Sequence, residues 1–224
     1  MNDILAALFS HVDWRDIAWA SVDTLAMLGG SLALTLLLGL PLGIGLFLVS
    51  PKQLLSSPKV YAALSFAVNV LRSLPFVILL IAMIPVTVAL TGTSLGVAGS
   101  IPSLVVAGTP FFGRLVESAL REVDHGIVEA SLAMGANTRQ VVFGALLWEA
   151  LPGILAAATV TAIALVSYTA LAGVVGGGGL GDLAIRYGYQ RFQLDVMFIT
   201  VVLLLLIVQA LQSAGQRMVL HFSR

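Results

Sequence analysis

Residues 25–49 read LAMLGGSLALTLLLGLPLGIGLFLV and carry no charged side chain. At a rise of about 1.5 Å per residue, a helix of this length crosses the ~30 Å hydrocarbon core of a bilayer. Hydrocarbon offers backbone N–H and C=O groups no partner, so such a run is expected to be helical. The composition of the whole chain agrees. Of its 224 residues 59% are apolar and 10% are charged, against roughly 45–50% and 25% in soluble domains. A soluble domain this apolar has too few polar groups to cover its surface, so the bilayer is the expected solvent.

Four further candidate spans lie beyond this run: residues 60–90, 95–112, 150–175 and 196–211. The second is interrupted by Arg72-Ser73-Leu74-Pro75, and the third continues as an amphipathic helix toward Val123. No soluble domain fits between the spans, and no internal repeat is visible. The expectation is an all-α integral membrane protein with five transmembrane helices, forming a single domain over residues 1–224. The first twenty residues carry Asp3, Asp13, Arg15 and Asp16 rather than the basic start of a signal peptide. Orientation follows from the basic residues of the connections. With the amino terminus outside and the carboxyl terminus in the cytoplasm, Lys52, Lys59, Arg114, Arg121, Arg139, Arg217 and Arg224 lie inside, while Arg15, Arg186 and Arg191 lie outside. Seven against three favours this arrangement.

Several functions are excluded. A net charge of zero gives nucleic acid no electrostatic footing. Without cysteine there is no disulfide or thiolate chemistry. His11, His125 and His221 are far apart and have no metal-ligand spacing, so no metal is expected. Lys52 and Lys59 each follow a proline, and no GxxxxGK[ST] pattern occurs, so this chain holds no nucleotide or other cofactor of its own. No nucleophile–base constellation points to an enzyme. The alternative function is an ion- or proton-coupled secondary transporter. That class commonly has inverted repeats and intramembrane acids, yet here no Asp or Glu lies clearly within a span and five spans do not halve.

The polar residues gather in one place. Arg114, Glu117, Arg121, Glu122, Asp124, Glu129, Arg139 and Glu149 are eight of the 22 charged residues. Within this island, over about residues 124–149, runs VEASLAMGA, Val128 to Ala136. Glu129 near a helix start complements the macrodipole. Small residues at Ala130, Ser131 and Ala133 suit a short helix seated in a groove of another protein. Gly135 can end it in a left-handed turn, after which Asn137 and Thr138 start the next helix. Two readings compete: a capped amphipathic connector, or a docking element for a soluble partner.

Other positions are also two-sided. The Gly39, Gly43 and Gly45 run allows close helix approach, as ordinary span packing or as a helix wrapping the core, and Pro41 is expected to bend it. Arg72 either snorkels to the interface or faces the pathway. Ser167, Tyr168 and Thr169 either bond to their own helix backbone or line the pathway. Met197 either lines the outer half of the fifth span or packs. The Gly176-Gly177-Gly178-Gly179 run is either a flexible loop or an outer gate or docking surface.

Residues 129–152 resemble the EAA loop of type I ABC-transporter permeases, whose pattern is Glu-Ala-Ala, three residues, Gly, nine residues, Ile, one residue, Leu-Pro. Glu129, Ala130, Gly135 and Leu147 match in place; Ser131, Ala145 and Trp148 stand where Ala, Ile and Pro are usual. A second Leu-Pro, Leu151-Pro152, follows one helical turn later and would move the turn there. Arg72 to Phe76, Ala107 to Phe112, and Ser167 through Phe192 resemble the methionine-importer branch. The resemblance implies a type I ABC importer permease fold and methionine transport across a bacterial inner membrane. It implies Glu129, Ala130, Ser131 and Gly135 as the residues coupled to the ATPase, through a cytoplasmic coupling helix. It also implies partners: a second copy of the chain, two ATP-binding cassette ATPase subunits that hold ATP and Mg, and a periplasmic or lipoprotein methionine-binding protein.

Overall fold

A computed structural model describes residues 12–223. Asp3, His11 and Arg224 lie outside the described residues. The helices are α1 (Trp14–Val49), α2 (Pro58–Ser73), α3 (Phe76–Ala82), α4 (Ile84–Thr91), α5 (Gly96–Arg121), α6 (His125–Ala133), α7 (Thr138–Val141), α8 (Leu147–Glu149), α9 (Leu151–Val174), α10 (Gly179–Leu183) and α11 (Leu194–Phe222). π-helical turns occupy Val142–Leu146 and Ala184–Tyr189. No strand occurs among the described residues.

Among these residues α1, α5, α9 and α11 are each long and apolar enough to cross a membrane; α2 and α3 meet that test only as a bent pair. The run at 60–90 is therefore three helices rather than one. Pro75 supplies no N–H and disfavours a helical Leu74, which ends α2. Pro85 stands in the first turn of α4, where its missing N–H costs nothing. Arg72 thus sits in the last turn of α2, exposed, and not in the middle of a continuous span. There its charge faces the negative helix end, and its guanidinium lies 6.0 Å from the centroid of the Phe111 ring. Pro41, by contrast, is absorbed within a continuous α1.

The chain divides into two compact units. One takes the chain up to Leu34, Leu74–Ala107 and Ala162–Leu211; the other takes Thr35–Ser73, Gly108–Thr161 and the chain from Gln212. The connections sort with them. Those at 92–95 and 175–193 belong to the first unit, and those at 50–57 and 122–150 to the second.

The second unit packs around Phe47, Phe112, Val116, Leu120, Leu146 and Ile154. Its tightest contact is made by the glycines of α1. A Cβ on Gly43 would stand 2.5 Å from the Gly113 carbonyl oxygen and 2.6 Å from Val116 Cβ, and one on Gly39 would stand 2.8 Å from Phe112 Cδ1. In lipid, where apolar burial drives little, such close backbone approach is a main source of helix–helix attraction.

The first unit packs around Met27, Leu28, Phe76, Leu80, Leu104 and Leu165. The glycine run after α9 is not a floppy loop. Gly176, Gly178 and Gly179 have φ of 88°, 77° and 79°. Gly96 N–H donates to the Gly176 carbonyl at 2.9 Å, and Leu180 N–H donates to Thr24 Oγ1 at 2.9 Å. A Cβ on Gly179 would stand 2.6 Å from that same Oγ1. Glycine is used here because the turn is tight.

Gly43→Ala should destabilise the purified protein by about 1–3 kcal/mol through overpacking. Gly45→Ala, whose added carbon meets nothing within 4 Å, should leave the melting temperature unchanged or raise it. Thermal unfolding in detergent compares the two; equal melting temperatures would refute the close approach of α1 and α5.

Candidate functional site

The polar island folds as a short helix held at both ends. Asp124 caps α6, its carboxylate accepting the Gly126 N–H at 2.7 Å. At the other end Gly135 adopts φ 84°. Gly135 N–H donates to the Leu132 carbonyl at 2.9 Å and Ala136 N–H to the Ser131 carbonyl at 3.1 Å. These are the paired bonds of a Schellman ending, and they satisfy carbonyls that the helix itself leaves open. No atom lies within 4 Å of a Cβ on Gly135, so the constraint there is backbone conformation and not space. The next helix opens with a capping box: Asn137 Oδ1 accepts the Gln140 N–H at 3.0 Å, and Gln140 Oε1 accepts the Asn137 N–H at 2.8 Å.

The two faces of α6 differ. Ile127, Val128 and Ser131 turn inward. Val128, together with Val123, packs on the core of its unit. Ser131 is buried and its hydroxyl donates to the Ile127 carbonyl at 2.7 Å. Of the four residues expected to couple to an ATPase, Ser131 therefore faces the protein, because it falls one turn from Ile127 and Val128. Glu129 and Ala130 face outward, with Gly135 exposed in the turn. Glu129 is the fifth residue of α6 and lies outside its first turn. The macrodipole role expected of it is taken by Asp124. The Glu129 carboxylate makes no hydrogen bond or ion pair among the described residues, and so is available to a partner.

The outward side of α6 and the turn after it also carries apolar side chains that composition did not reveal: Leu132 is exposed and Met134 is 81% exposed. Further along, Phe143 is 64% and Trp148 67% exposed. Large apolar side chains exposed beside a charged residue are what an interaction surface requires. Trp148, standing at the usual Pro position, does not break the chain. Residues 138–149 remain helical through the π-helical turn, and the turn falls at Ala150. Pro152 is the second residue of α9, a place where proline is tolerated.

Between α5 and α2, just ahead of the segment in the chain, lies a polar network that the sequence alone shows only as charge. Glu117 on α5 is buried, its side chain 2% accessible. Its carboxylate accepts Arg114 Nη1 at 2.5 Å, Arg121 Nη2 at 2.7 Å and the Tyr61 hydroxyl at 3.1 Å. The spacing of three and four residues on one helix was the available signal. That the face turns inward was not predictable from spacing.

The pathway candidates have different surroundings. Tyr168 stacks on Phe76 with centroids 4.7 Å apart. Thr169 is buried and donates to the Val166 carbonyl at 2.7 Å. Met197 packs on Gly188. Ser167 is exposed and opens on an apolar groove of about 590 Å³ lined by Val166, Leu171, Val174, Val201 and Leu205.

Long apolar helices suited to a bilayer, joined by a capped polar segment, have the features of a membrane transport subunit. Residues 36–220 match the family of binding-protein-dependent transport system inner membrane components, and the chain belongs to that family. It is 46% identical over 200 residues to a probable D-methionine transport system permease protein of Vibrio cholerae, covering 89% of each chain. It is 45% identical over 170 residues to the methionine import system permease protein of Bacillus subtilis, covering 76% of this chain and 77% of the relative. Among solved structures it superposes on a chain of the MetNI methionine ABC transporter, described in inward-facing conformations, with a TM-score of 0.92 and 43% identity, covering 94% and 97% of the two chains. An amino acid ABC transporter chain at 16% identity shares the fold, with a TM-score of 0.73. The fold is that of a type I ABC importer permease.

Replacing Gly135 by Val forces a β-branched residue to φ 84°, at a cost of about 1–2 kcal/mol. Hydrogen exchange of the amides of residues 131–140 should accelerate. Gly135→Asn, which tolerates left-handed backbone, should change exchange less. Identical exchange in both variants would remove the Schellman turn as the element that ends α6.

Proposed function

We propose that this chain is the permease subunit of an ATP-driven importer of methionine, in its L- or D-form or as a close analogue. Two copies form the pathway at a two-fold interface. Two ATP-binding cassette subunits, which hold the ATP and Mg, dock on the segments at 122–150. A periplasmic or lipoprotein binding protein delivers substrate on the opposite side. The observation that carries this reading is α6 itself: a helix capped at both ends, presenting Glu129, Ala130, Leu132 and Met134 outward from a chain otherwise suited to lipid. The methionine assignment draws on the names of the relatives.

Energy transfer then follows from packing. When ATP closes the ATPase pair, the grooves holding α6 move. The caps keep α6 rigid, and Val123 and Val128 tie it to the core built from α1, α5 and α9. Displacement of the segment therefore tilts the helices on either side of it. The pathway changes state only to the extent that the ATPase contacts the segment differently in its two conformations. Arg72 and Ser167 keep exposed polar atoms and are proposed to face the pathway first; Tyr168, Thr169 and Met197 shape it by packing.

The segment meets ATPase in the cytoplasm, which puts the amino terminus outside and the carboxyl terminus inside. The basic residues of the connections support this orientation, being more numerous on the side so assigned.

In reconstituted complexes, Glu129→Lys should lower substrate uptake while ATP hydrolysis continues, and withholding ATP should stop uptake altogether. Uptake driven by a proton gradient without ATP would replace this reading by secondary transport. In intact cells an impermeant maleimide should label Asp13→Cys, and should label Met134→Cys only after lysis. The reverse pattern would invert the topology.

A further inference from the structure

Glu117 is the only charged residue buried among the described residues. Burying a carboxylate in a membrane protein is costly, and a buried ion pair is weak evidence of stability, because apolar side chains of like volume pack as well or better. A carboxylate buried at this cost and held by three side chains points to a role in position. Arg114, Glu117 and Arg121 fall on one face of α5. They reach across to a single face of α2, where Tyr61, Ser65 and Asn69 recur every four residues. Tyr61 donates to Glu117 at 3.1 Å. Arg114 Nη2 donates to Ser65 Oγ at 2.6 Å and to Asn69 Oδ1 at 3.1 Å. The Arg121 guanidinium also lies 5.9 Å from the Tyr61 ring centroid. Three residues beyond Arg121, Asp124 opens α6. The network thus clamps the last two turns of α5 to α2 at the point where the docking segment departs.

We propose that Glu117 is a positioning residue for energy coupling: through Arg114, Arg121 and Tyr61 it locks α5 to α2, so that α6 leaves at a fixed angle and its displacement moves α2 and α5 as one piece. The transport consequence rests on the reading of 122–150 as the ATPase-docking segment. The geometric claim stands apart from that reading. The carboxylate and the arginines act through the helices they join.

The chain contains no cysteine, so spin labels on Lys59→Cys and Met134→Cys, both exposed positions of one unit, report the distance from α2 to the end of α6. With Glu117 intact the distance distribution should be narrow. Glu117→Gln, which keeps the shape and loses the charge, should broaden it. In complexes reconstituted with the ATPase, the same variant should still assemble and hydrolyse ATP, while uptake per ATP falls about tenfold. Glu117→Asp should recover part of both effects. An unchanged distance distribution in Glu117→Gln would overturn the proposal. So would uptake, hydrolysis and melting temperature falling together, since that marks a residue needed only for folding. If the wild-type complex hydrolyses ATP but does not take up methionine, the functional reading fails, and the distance measurement alone decides the clamp.

Discussion

Hydrocarbon cannot hydrogen-bond to a backbone, and the rest of this structure follows from that. Every segment that crosses must satisfy its own N–H and C=O groups, so the described chain is helix after helix. The same solvent weakens apolar burial as a force between helices. Cohesion shifts to close contact: Gly39 and Gly43 bring α1 against the backbone of Gly113 and the side chains of Phe112 and Val116.

Polar chemistry is confined by the same rule. Where the chain leaves the hydrocarbon at the end of α5 it gathers eight of its 22 charged residues and caps its short helices. Asp124 and Gly135 close the two ends of α6, and the Asn137–Gln140 box opens α7. Capping at both ends holds α6 against fraying, which suits the coupling role proposed for it. Just before it in the chain, the Glu117 cluster joins α5 to α2 with charge-assisted hydrogen bonds, stronger and more directional than the contacts of apolar side chains. The outward face combines an unpaired carboxylate with Met134 and Leu132, a mixture suited to a protein groove and not to water or lipid alone.

Much of this was readable from residue order. The uncharged run at 25–49, the island, the left-handed turn at Gly135 and the helix start at Asn137 are local properties, set by hydrophobicity, helix length and capping chemistry. The division of 60–90 was also marked, since Pro75 and Pro85 are visible breakers, though the position of Arg72 at a helix end needed coordinates. Glu129 was misplaced by one turn because the helix start depended on Asp124, whose capping role competes with several neighbouring polar residues.

Hydropathy and turn chemistry act over a few residues, so they settled the membrane setting, the number of apolar runs and the capped polar segment without reference to the fold. The burial of Glu117, the inward face of Ser131, the exposure of Met134 and Trp148 and the tightness of the Gly176–Gly179 turn were decided only by tertiary packing. Each depends on what lies opposite: Tyr61 across from Glu117, the core beside Ser131, Thr24 against Gly179. Those partners are distant in sequence, and no local pattern encodes which helix face will meet another.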